Sequence, residues 1–223
     1  MSNKYEFTNE TKKIEDSLGN LHTLHRIKAL KDFGDVEKGD LGGWLEKEEN
    51  LSQGDYCWVY GNAMVYGNAR VLDSAQVLDS AQVFDDAQVY GNAGVYDNAQ
   101  VYGNAKVYGF AGVYDNAQVY GNAQVYGYAW VRDNAQVYGN AQVYGYAWVC
   151  DNAQVHGNAQ VYDDARVSGH AKVYDDAQVF GHAKVYDDAR VFGHAKVYDD
   201  AQVQGNAWVC DNSVVCDDTE IFR

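Results

Sequence analysis

An aliphatic residue stands at every sixth position from Val59 to Ile221, with no insertion or deletion in between. Each six-residue unit, here called a hexad, reads approximately V-Y-G-N-A-Q: a branched residue, an aromatic, Gly or Asp, Asn or Asp, Ala, and a polar residue. An internal repeat of fixed length decides the architecture before any local pattern does. The pattern therefore predicts a solenoid of stacked units.

The hexad itself predicts a short strand followed by a corner. In A-Q-V-Y, small or branched residues alternate with polar or aromatic ones, which is typical of a strand with one buried face, so Ala and Val are expected to point inward. Gly-Asn and Asp-Asn are turn sequences because Gly, Asn and Asp tolerate positive φ. The chain contains no proline, as expected where strand N–H groups are needed for pairing.

The hexad alone does not say how many strands close one coil. Three strands, or three hexads, per coil would give a triangular prism, and two would give a flattened roll. The segment from Val125 to Val155 repeats after three hexads, which in a prism stacks Trp130 and Trp148 in one column, whereas the segment from Gly169 to Val203 repeats after two. We interpret the shorter period as the duplication of a pair of hexads, so the prism is favoured.

Two segments of the sequence resemble a known family. "VYGNAQ" is similar to the repeat of left-handed parallel β-helix (hexapeptide-repeat) proteins, and the resemblance covers residues 59–221. "DFGDVEKGDLGGWLEKEENLSQGDYCWVYGNA", residues 32–63, resembles the segment that leads into the solenoid of YdcK-like proteins, a bacterial and prophage group often described as transferases. The resemblance implies an all-β fold, a single-stranded left-handed parallel β-helix built as a triangular prism with three hexads per coil, and the homotrimeric assembly usual in this superfamily.

Residues 1–50 do not follow the hexad pattern and are expected to form a small N-terminal β cap, with the solenoid spanning residues 51–223. "KYEFTNETKKI" and "LHTLHRIKALKDF" alternate like strands on either side of "DSLGN", a turn sequence. A solenoid needs its first coil covered, because an open strand edge recruits other chains. Alternatively, this segment is a module that docks onto a partner. His22 and His25 are three residues apart and are expected on a strand, so they indicate a metal site only weakly.

Composition excludes several classes of partner. A net charge of −15 and an isoelectric point near 4.6 argue against binding a nucleic-acid duplex or an anionic membrane surface. The sequence shows no bilayer-spanning apolar run and no signal peptide at its start. Of the four cysteines, Cys57 takes an inward position and Cys150, Cys210 and Cys216 take outward ones. Exposed unpaired thiols fit a reducing compartment, so we expect the cytoplasm of a bacterial or phage-infected cell.

The residues favour a protein without catalytic residues, metal or cofactor. Hexapeptide-repeat acyltransferases generally interrupt the prism with a loop and use a catalytic His, but this repeat runs without interruption. Cys150 and His156 occupy the same slot of successive hexads, a full face apart, so they do not form a nucleophile pair. The histidines of the repeat are interpreted as surface substitutions. The Asp pairs between Asp163 and Asp200 are interpreted as solvated corners.

A departure from the consensus in the middle of the repeat is the candidate site. Trp and Arg replace the usual polar residues, and aromatic residues replace Asn at the adjoining corner; Trp and Arg are enriched where binding energy concentrates. In a prism these side chains form one outward patch. The predicted patch consists of Phe110, Tyr128, Trp130, Arg132, Tyr146, Trp148 and Arg166.

The patch predicts a non-enzymatic solenoid that works by binding or assembly. It could be the interface of a homo-oligomer, with a trimer favoured, or it could bind a small molecule or a partner protein through the flat faces of its rings. One alternative is an acyltransferase that uses CoA. Another is sequestration of a host small molecule such as a signalling nucleotide, which would require Arg132, Arg166 and Lys172 to gather.

Overall fold

The structure, a computed structural model, describes residues 3–16 and 18–223. It confirms the expected fold class: an all-β parallel solenoid in which each strand pairs with the strand three hexads further along, preceded by a small β cap. Three strands close each coil, so the prism is correct and the two-sided roll is not. Met1 and Ser2, which belong to the predicted cap segment, and Ser17, which belongs to the predicted turn, lie outside the described residues.

The solenoid has three faces, each a parallel sheet of two-residue strands. Face I contains Trp58–Val59, Gln76–Val77, Gly94–Val95, Gly112–Val113, Trp130–Val131, Trp148–Val149, Arg166–Val167, Lys184–Val185, Gln202–Val203 and Glu220–Ile221. Face II contains Met64–Val65, Gln82–Val83, Gln100–Val101, Gln118–Val119, Gln136–Val137, Gln154–Val155, Lys172–Val173, Arg190–Val191 and Trp208–Val209. Face III contains Arg70–Val71, Gln88–Val89, Lys106–Val107, Gln124–Val125, Gln142–Val143, Gln160–Val161, Gln178–Val179, Lys196–Val197 and Val214–Val215.

The core is a stack of Val and Ala side chains from all three faces. Ala129 and Val131, for example, are fully buried, as the alternation predicts. Backbone hydrogen bonds run from coil to coil: the Trp130 N–H donates to the carbonyl oxygen of Ala147 at 2.9 Å. One coil buries too little apolar surface to be stable alone, so stability comes from the interfaces between neighbouring coils.

Each corner begins with a Gly or an Asp in the left-handed region of φ. Gly127 has φ 74° and Asp133 has φ 63°, a conformation that Gly adopts freely and Asp tolerates. The Asp side chains also bond the next coil, as where the Asp73 carboxylate accepts the Gly91 N–H at 2.9 Å. Asp at this position therefore satisfies a backbone donor as well as turning the chain.

The two-hexad period between Gly169 and Val203 has a structural reason that the sequence interpretation missed. "DD" and "GH" corners alternate from hexad to hexad, and three hexads make a coil, so each corner stacks on one of the other type. Asp164 thus lies 3.8 Å from His182, and the Asp163 carboxylate accepts the Gly181 N–H at 3.4 Å. As the prism predicts, the pairs from Asp163 to Asp188 do not stack on one another, whereas Asp199–Asp200 is followed in its column by Asp217–Asp218.

The cap is formed by three strands, β1 (Tyr5–Glu15), β2 (Leu21–Ala29) and β3 (Leu41–Leu45), followed by a single 3₁₀ turn, Glu48–Asn50. β1 pairs with β2 and β2 with β3, both antiparallel. β3 then pairs in parallel with the Met64–Val65 strand of face II. The cap therefore continues face II, and the boundary between residues 50 and 51 stays a prediction.

A buried lysine attaches the cap to the first coil. The Lys4 side chain is fully buried, and its Nζ donates to the carbonyl oxygens of Gly54 at 3.0 Å and Cys57 at 2.8 Å. Burial lowers the pKa of Lys4. Trp58, also buried, packs edge-on against Tyr5 and Phe33. The first coil is thus covered by cap side chains, as a solenoid end requires.

Candidate functional site

The predicted patch lies on face I and along the corner that leads into it. Parallel pairing places Trp130 directly beside Trp148, and Trp148 beside Arg166. The two indole rings stack with centroids 5.4 Å apart and an interplanar angle of 8°. This stacking follows from the fold, because the same slot of successive coils lies about 4.8 Å apart along the axis.

Trp148 is enclosed by two cations. The Arg166 guanidinium lies 4.9 Å from the indole centroid and the Arg132 guanidinium 5.2 Å from it, both within the range of cation–π attraction. Arg132 also approaches Asp133, with Nε 3.6 Å from the carboxylate. The Trp and Arg side chains therefore hold one another in place.

The adjoining corner carries a second aromatic column. Phe110 stacks on Tyr128 at 4.9 Å, and Tyr128 on Tyr146 at 5.0 Å. These rings are 46% to 57% exposed, and Trp130 is 39% exposed. The structure thus brings six of the seven predicted residues into two neighbouring columns, with Arg132 beside them in the slot after Val131, and it leaves a broad aromatic surface open.

The flat faces of the patch rings are used within the patch itself. These faces were expected to stack on a ligand or on another aromatic ring, and they are occupied by the neighbouring rings and by Arg166. What the stacked columns present outward is ring edges. The reason is the coil spacing, which is close to the stacking distance of aromatic rings, so rings in one column cover each other.

In the patch, the large side chains of face I lie in the slot before Val, and smaller or more flexible ones lie in the slot after Val. On faces II and III, the slot after Val carries stacked aromatic rings such as Tyr102 on Tyr120, whereas face I has Arg132, Cys150 and Ser168 there. Before the patch the arrangement is reversed, because the Tyr114 ring lies over Gly112, where an added Cβ would come within 2.2 Å of it. The Tyr96 ring lies over Gly94 in the same way, and sequence reasoning gave neither glycine a role.

An open groove of about 880 Å³ continues the patch toward the C-terminal coils. Its lining changes from aromatic to charged: Tyr146, Trp148, Asp164, Arg166, His182, Lys184, Asp200, Gln202, Asp218 and Glu220. Arg166 stacks on Lys184 in adjacent strands, and in residues 3–16 and 18–223 neither cation has a carboxylate within 4.0 Å.

Lys172 does not join this site, so the gathering of Arg132, Arg166 and Lys172 that nucleotide sequestration would require is not present. It follows Arg166 by one hexad and therefore lies on the next face, where it pairs with Arg190 on face II. The cation stacked on Arg166 is Lys184. Lys172 and Arg166 lie apart because three strands close a coil, so only residues separated by three hexads share a column.

The groups closest to enzyme chemistry do not form a nucleophile site. Cys150 lies near Asp133 and Asp151, but burial and the neighbouring carboxylates raise the pKa of its thiol to about 11, so the reactive thiolate is scarce. His156 stacks between Tyr138 and Tyr174 on face II, away from Cys150 on face I.

The cap histidine His22 is part of the cap structure. Its ring nitrogens lie 2.9 Å from Glu46 and 3.4 Å from Asp16. Burial lowers the pKa of His22, but the hydrogen bonds to these carboxylates outweigh burial and raise it. Among the described residues, no helix has the length and apolar character needed to span a bilayer.

Comparison with known proteins agrees with this architecture. The family model described as "YdcK Beta solenoid repeat" matches residues 59–71, 65–79, 117–133, 135–151 and 159–175. A curated relative, "Uncharacterized acetyltransferase YdcK" of Escherichia coli (strain K12), is 37% identical over 60 residues, which cover 26% of this chain and 18% of the relative. The resemblance to YdcK-like proteins expected from the sequence is therefore confirmed: the chain is a β-solenoid, and the matched repeats are similar to the YdcK repeat.

Proposed function

We propose that the protein is a non-enzymatic β-solenoid that works by binding, and that its Trp–Arg patch is the surface through which copies of the chain associate. The observation that carries this proposal is the exposed run of stacked rings on and beside face I, where Trp148 lies between Arg132 and Arg166. Large exposed aromatic surfaces with Arg are characteristic of protein interfaces.

The ring geometry supports a protein partner over a stacking ligand. A base or a sugar ring needs a free aromatic face, and the faces of Trp148 are taken by Trp130 and Arg166. A second protein surface can pack against ring edges, because burial of apolar area does not depend on ring direction. The family resemblance implies three copies, and the number is a quantity to be measured.

The test is the mass of the protein in solution with and without the two indoles. Light scattering should give a multiple of the 24.8 kDa chain mass for the parent, and Trp130→Ala with Trp148→Ala should weaken association about a hundredfold or more, as for central interface residues. Trp208→Ala is a matched control, since Trp208 is also an exposed indole in contact with an arginine, Arg190, but lies on face II. A monomeric parent, or a double variant that keeps the parent's mass, would contradict the proposal.

Acetyl transfer is the second candidate, because the relative's description names an acetyltransferase. The structure disfavours it, since the hexads continue from Val59 to Ile221 without a protruding loop. Acetyl-CoA at millimolar concentration should leave the melting temperature unchanged. A clear rise would support this candidate over association alone.

The cytoplasm of a bacterial or phage-infected cell is the proposed compartment.

Nucleotide sequestration is the third candidate, because the adjacent cations Arg166 and Lys184 could bind phosphate groups. Native mass spectrometry of the protein purified from its own host would show extra mass per assembly if a small molecule is held. A ligand-free assembly would favour association as the main role.

A further inference from the structure

A second open groove, of about 810 Å³, lies on face II toward the C-terminal coils. Lys172, Arg190 and Arg223 supply its cationic side chains, and Asp188 is its one acidic side chain among the described residues. Trp208 forms part of the same lining. The cap packs on face II at the opposite end, beside Tyr66, so it leaves this groove open.

The two central cations of the groove have no counter-charge in direct contact. Lys172 and Arg190 are paired in adjacent strands, about 4.8 Å apart along the axis. Like charges that face each other across neighbouring strands are destabilising. Within residues 3–16 and 18–223, neither cation has a carboxylate within 4.0 Å. An anion bound in the groove would supply the missing charge.

The acidic side chains distinguish this groove from the one on face I. The face I groove contains Arg166 and Lys184, but it also contains four acidic side chains: Asp164, Asp200, Asp218 and Glu220. In the face II groove, three cationic side chains accompany a single acidic one. In a chain with a net charge of −15, the face II groove is therefore the better place for an anion.

The other carboxylates near Lys172 and Arg190 are directed elsewhere. Asp187 precedes Asp188 at the same corner, and its carboxylate accepts the Gly205 N–H of the next coil at 3.1 Å. The corner that follows face II carries Asp175–Asp176, which lies beyond the stacked rings of that face. These carboxylates therefore do not fill the groove or neutralise its two central cations by contact.

Arg190 and Trp208 form a surface suited to a ligand that has both a charge and a ring. The Arg190 guanidinium lies 5.4 Å from the centroid of the Trp208 indole, so the long side chain is already restricted and loses less freedom when a ligand binds. Phe192 meets the indole only edge-on, at 6.2 Å. Trp208 is 62% exposed, and unlike Trp148 it remains accessible to a second flat ring.

We propose that the face II groove binds the phosphate groups of a small molecule that also carries a flat ring, as a nucleoside diphosphate does. Lys172 and Arg190 contact the phosphates, and Trp208 packs against the ring. A terminal phosphate carries about two negative charges near neutral pH, which matches two adjacent cations better than the single charge of a carboxylate. The site goes beyond the proposed association and does not depend on it, because the association patch lies on and beside face I.

The test is calorimetric titration of the full chain with ADP and with inorganic pyrophosphate, without divalent cations. We expect ADP to bind with a Kd below about 1 mM. Pyrophosphate should bind about tenfold more weakly, because it lacks a ring to stack on the indole. A parent protein that does not bind ADP, or that binds pyrophosphate as tightly as ADP, would overturn the proposal.

Removal of the two cations locates the site. Lys172→Gln with Arg190→Gln restores the residue that the same column carries at Gln154, so the fold should persist, and the affinity for ADP should fall about tenfold or more. Arg166→Gln with Lys184→Gln is the matched control, because it removes the same charges from face I. The control should bind ADP as the parent does. Equal losses in the two variants would overturn the proposal, since net charge and not the groove would then explain binding.

Removal of the indole tests the ring. Trp208→Ala should lower the affinity for ADP about tenfold and leave the affinity for pyrophosphate unchanged. Unchanged ADP binding by this variant would contradict the proposal. Light scattering of the same variants should give the parent's mass, so failure of this proposal and failure of the proposed association are distinguishable.

Discussion

At the residue scale, the first corner position sets the strictest requirement. The backbone must enter the left-handed region, as at Gly127 with φ 74°, and the corners lie so close that an added Cβ at Gly127 would come within 3.1 Å of Gly145 backbone atoms. Asp meets the same requirement elsewhere and gives an acceptor to the next coil, as Asp73 does for Gly91. The repeat accordingly uses Gly or Asp at this position from Gly61 to Asp217.

We expect Gly127→Ala to destabilise the protein by about 1 to 2 kcal/mol, the usual penalty for a left-handed non-glycine residue. Gly127→Asp should cost less, because its carboxylate can accept the Gly145 N–H. Thermal unfolding of the two variants beside the parent measures the difference. Equal melting temperatures for the Ala and Asp variants would show that the carboxylate contributes nothing.

Lys4 supports a second prediction at this scale. Lys4→Met keeps the apolar stem but leaves the carbonyl oxygens of Gly54 and Cys57 without their donor, which should destabilise the cap by about 1 to 3 kcal/mol. Hydrogen exchange of residues 3–29 should accelerate, while exchange in the coils around Val131 should stay as in the parent. Unchanged cap exchange would contradict the role of Lys4 as the cap's attachment.

At the element scale, the columns of stacked side chains distinguish the three faces. Face II carries stacked rings from Tyr66 to Phe192, and face III from Tyr90 to Tyr198. Burial raises the pKa of Tyr66 and of Tyr120 to about 12 in each case, and neighbouring carboxylates and phenols add to the rise. Ionisation of a phenol would place a negative charge within such a column, which burial disfavours.

The stability of the solenoid should therefore fall in alkali. The pKa of Tyr120 in the folded chain lies above the unfolded value of about 10, so between pH 10 and about 12 the unfolded chain releases protons that the folded chain retains. Stability contributed by these tyrosines is complete below pH 10 and is lost as the pH rises through that window. Melting temperatures measured from pH 9 to pH 11.5 should decline, and Tyr120→Phe should reduce the decline.

At the scale of the whole molecule, the fold and the patch respond differently to the number of hexads. The Val and Ala core is the same in every hexad, so any whole number of hexads preserves it. The patch depends on residues three hexads apart sharing a face. Removal of one hexad rotates everything that follows by one face, whereas removal of three restores the original alignment.

Deletion of residues 136–141 should leave a folded solenoid but move Trp148 from face I to face III. Deletion of residues 190–207, a full coil beyond the patch, should leave Trp130 and Trp148 stacked. We expect the shorter deletion to abolish association and the longer one to retain it, with circular dichroism showing β structure in both. Loss of association in both variants would mean that the patch is not the surface responsible.

Most of the fold could be predicted from the sequence. Every hexad repeats the same inward pair, as at Ala129 and Val131. Because so many hexads agree, the assignment of inward and outward positions does not depend on any single one of them. The members of the patch were also predictable, because the segments around Trp130 and Trp148 repeat after three hexads. The glycines beside Tyr96 and Tyr114 were missed, since the hexad pattern carries no information on which way a ring leans.

The sequence by itself determined that this chain forms a parallel solenoid with a Val and Ala core, because the six-residue period alone separates inward from outward positions. The sequence left two and three strands per coil as alternatives, and the tertiary structure decided for three, which places Lys184 beside Arg166 and Lys172 on another face. It also decided that the rings of the patch present their edges, because a coil spacing of about 4.8 Å makes each ring stack on the next.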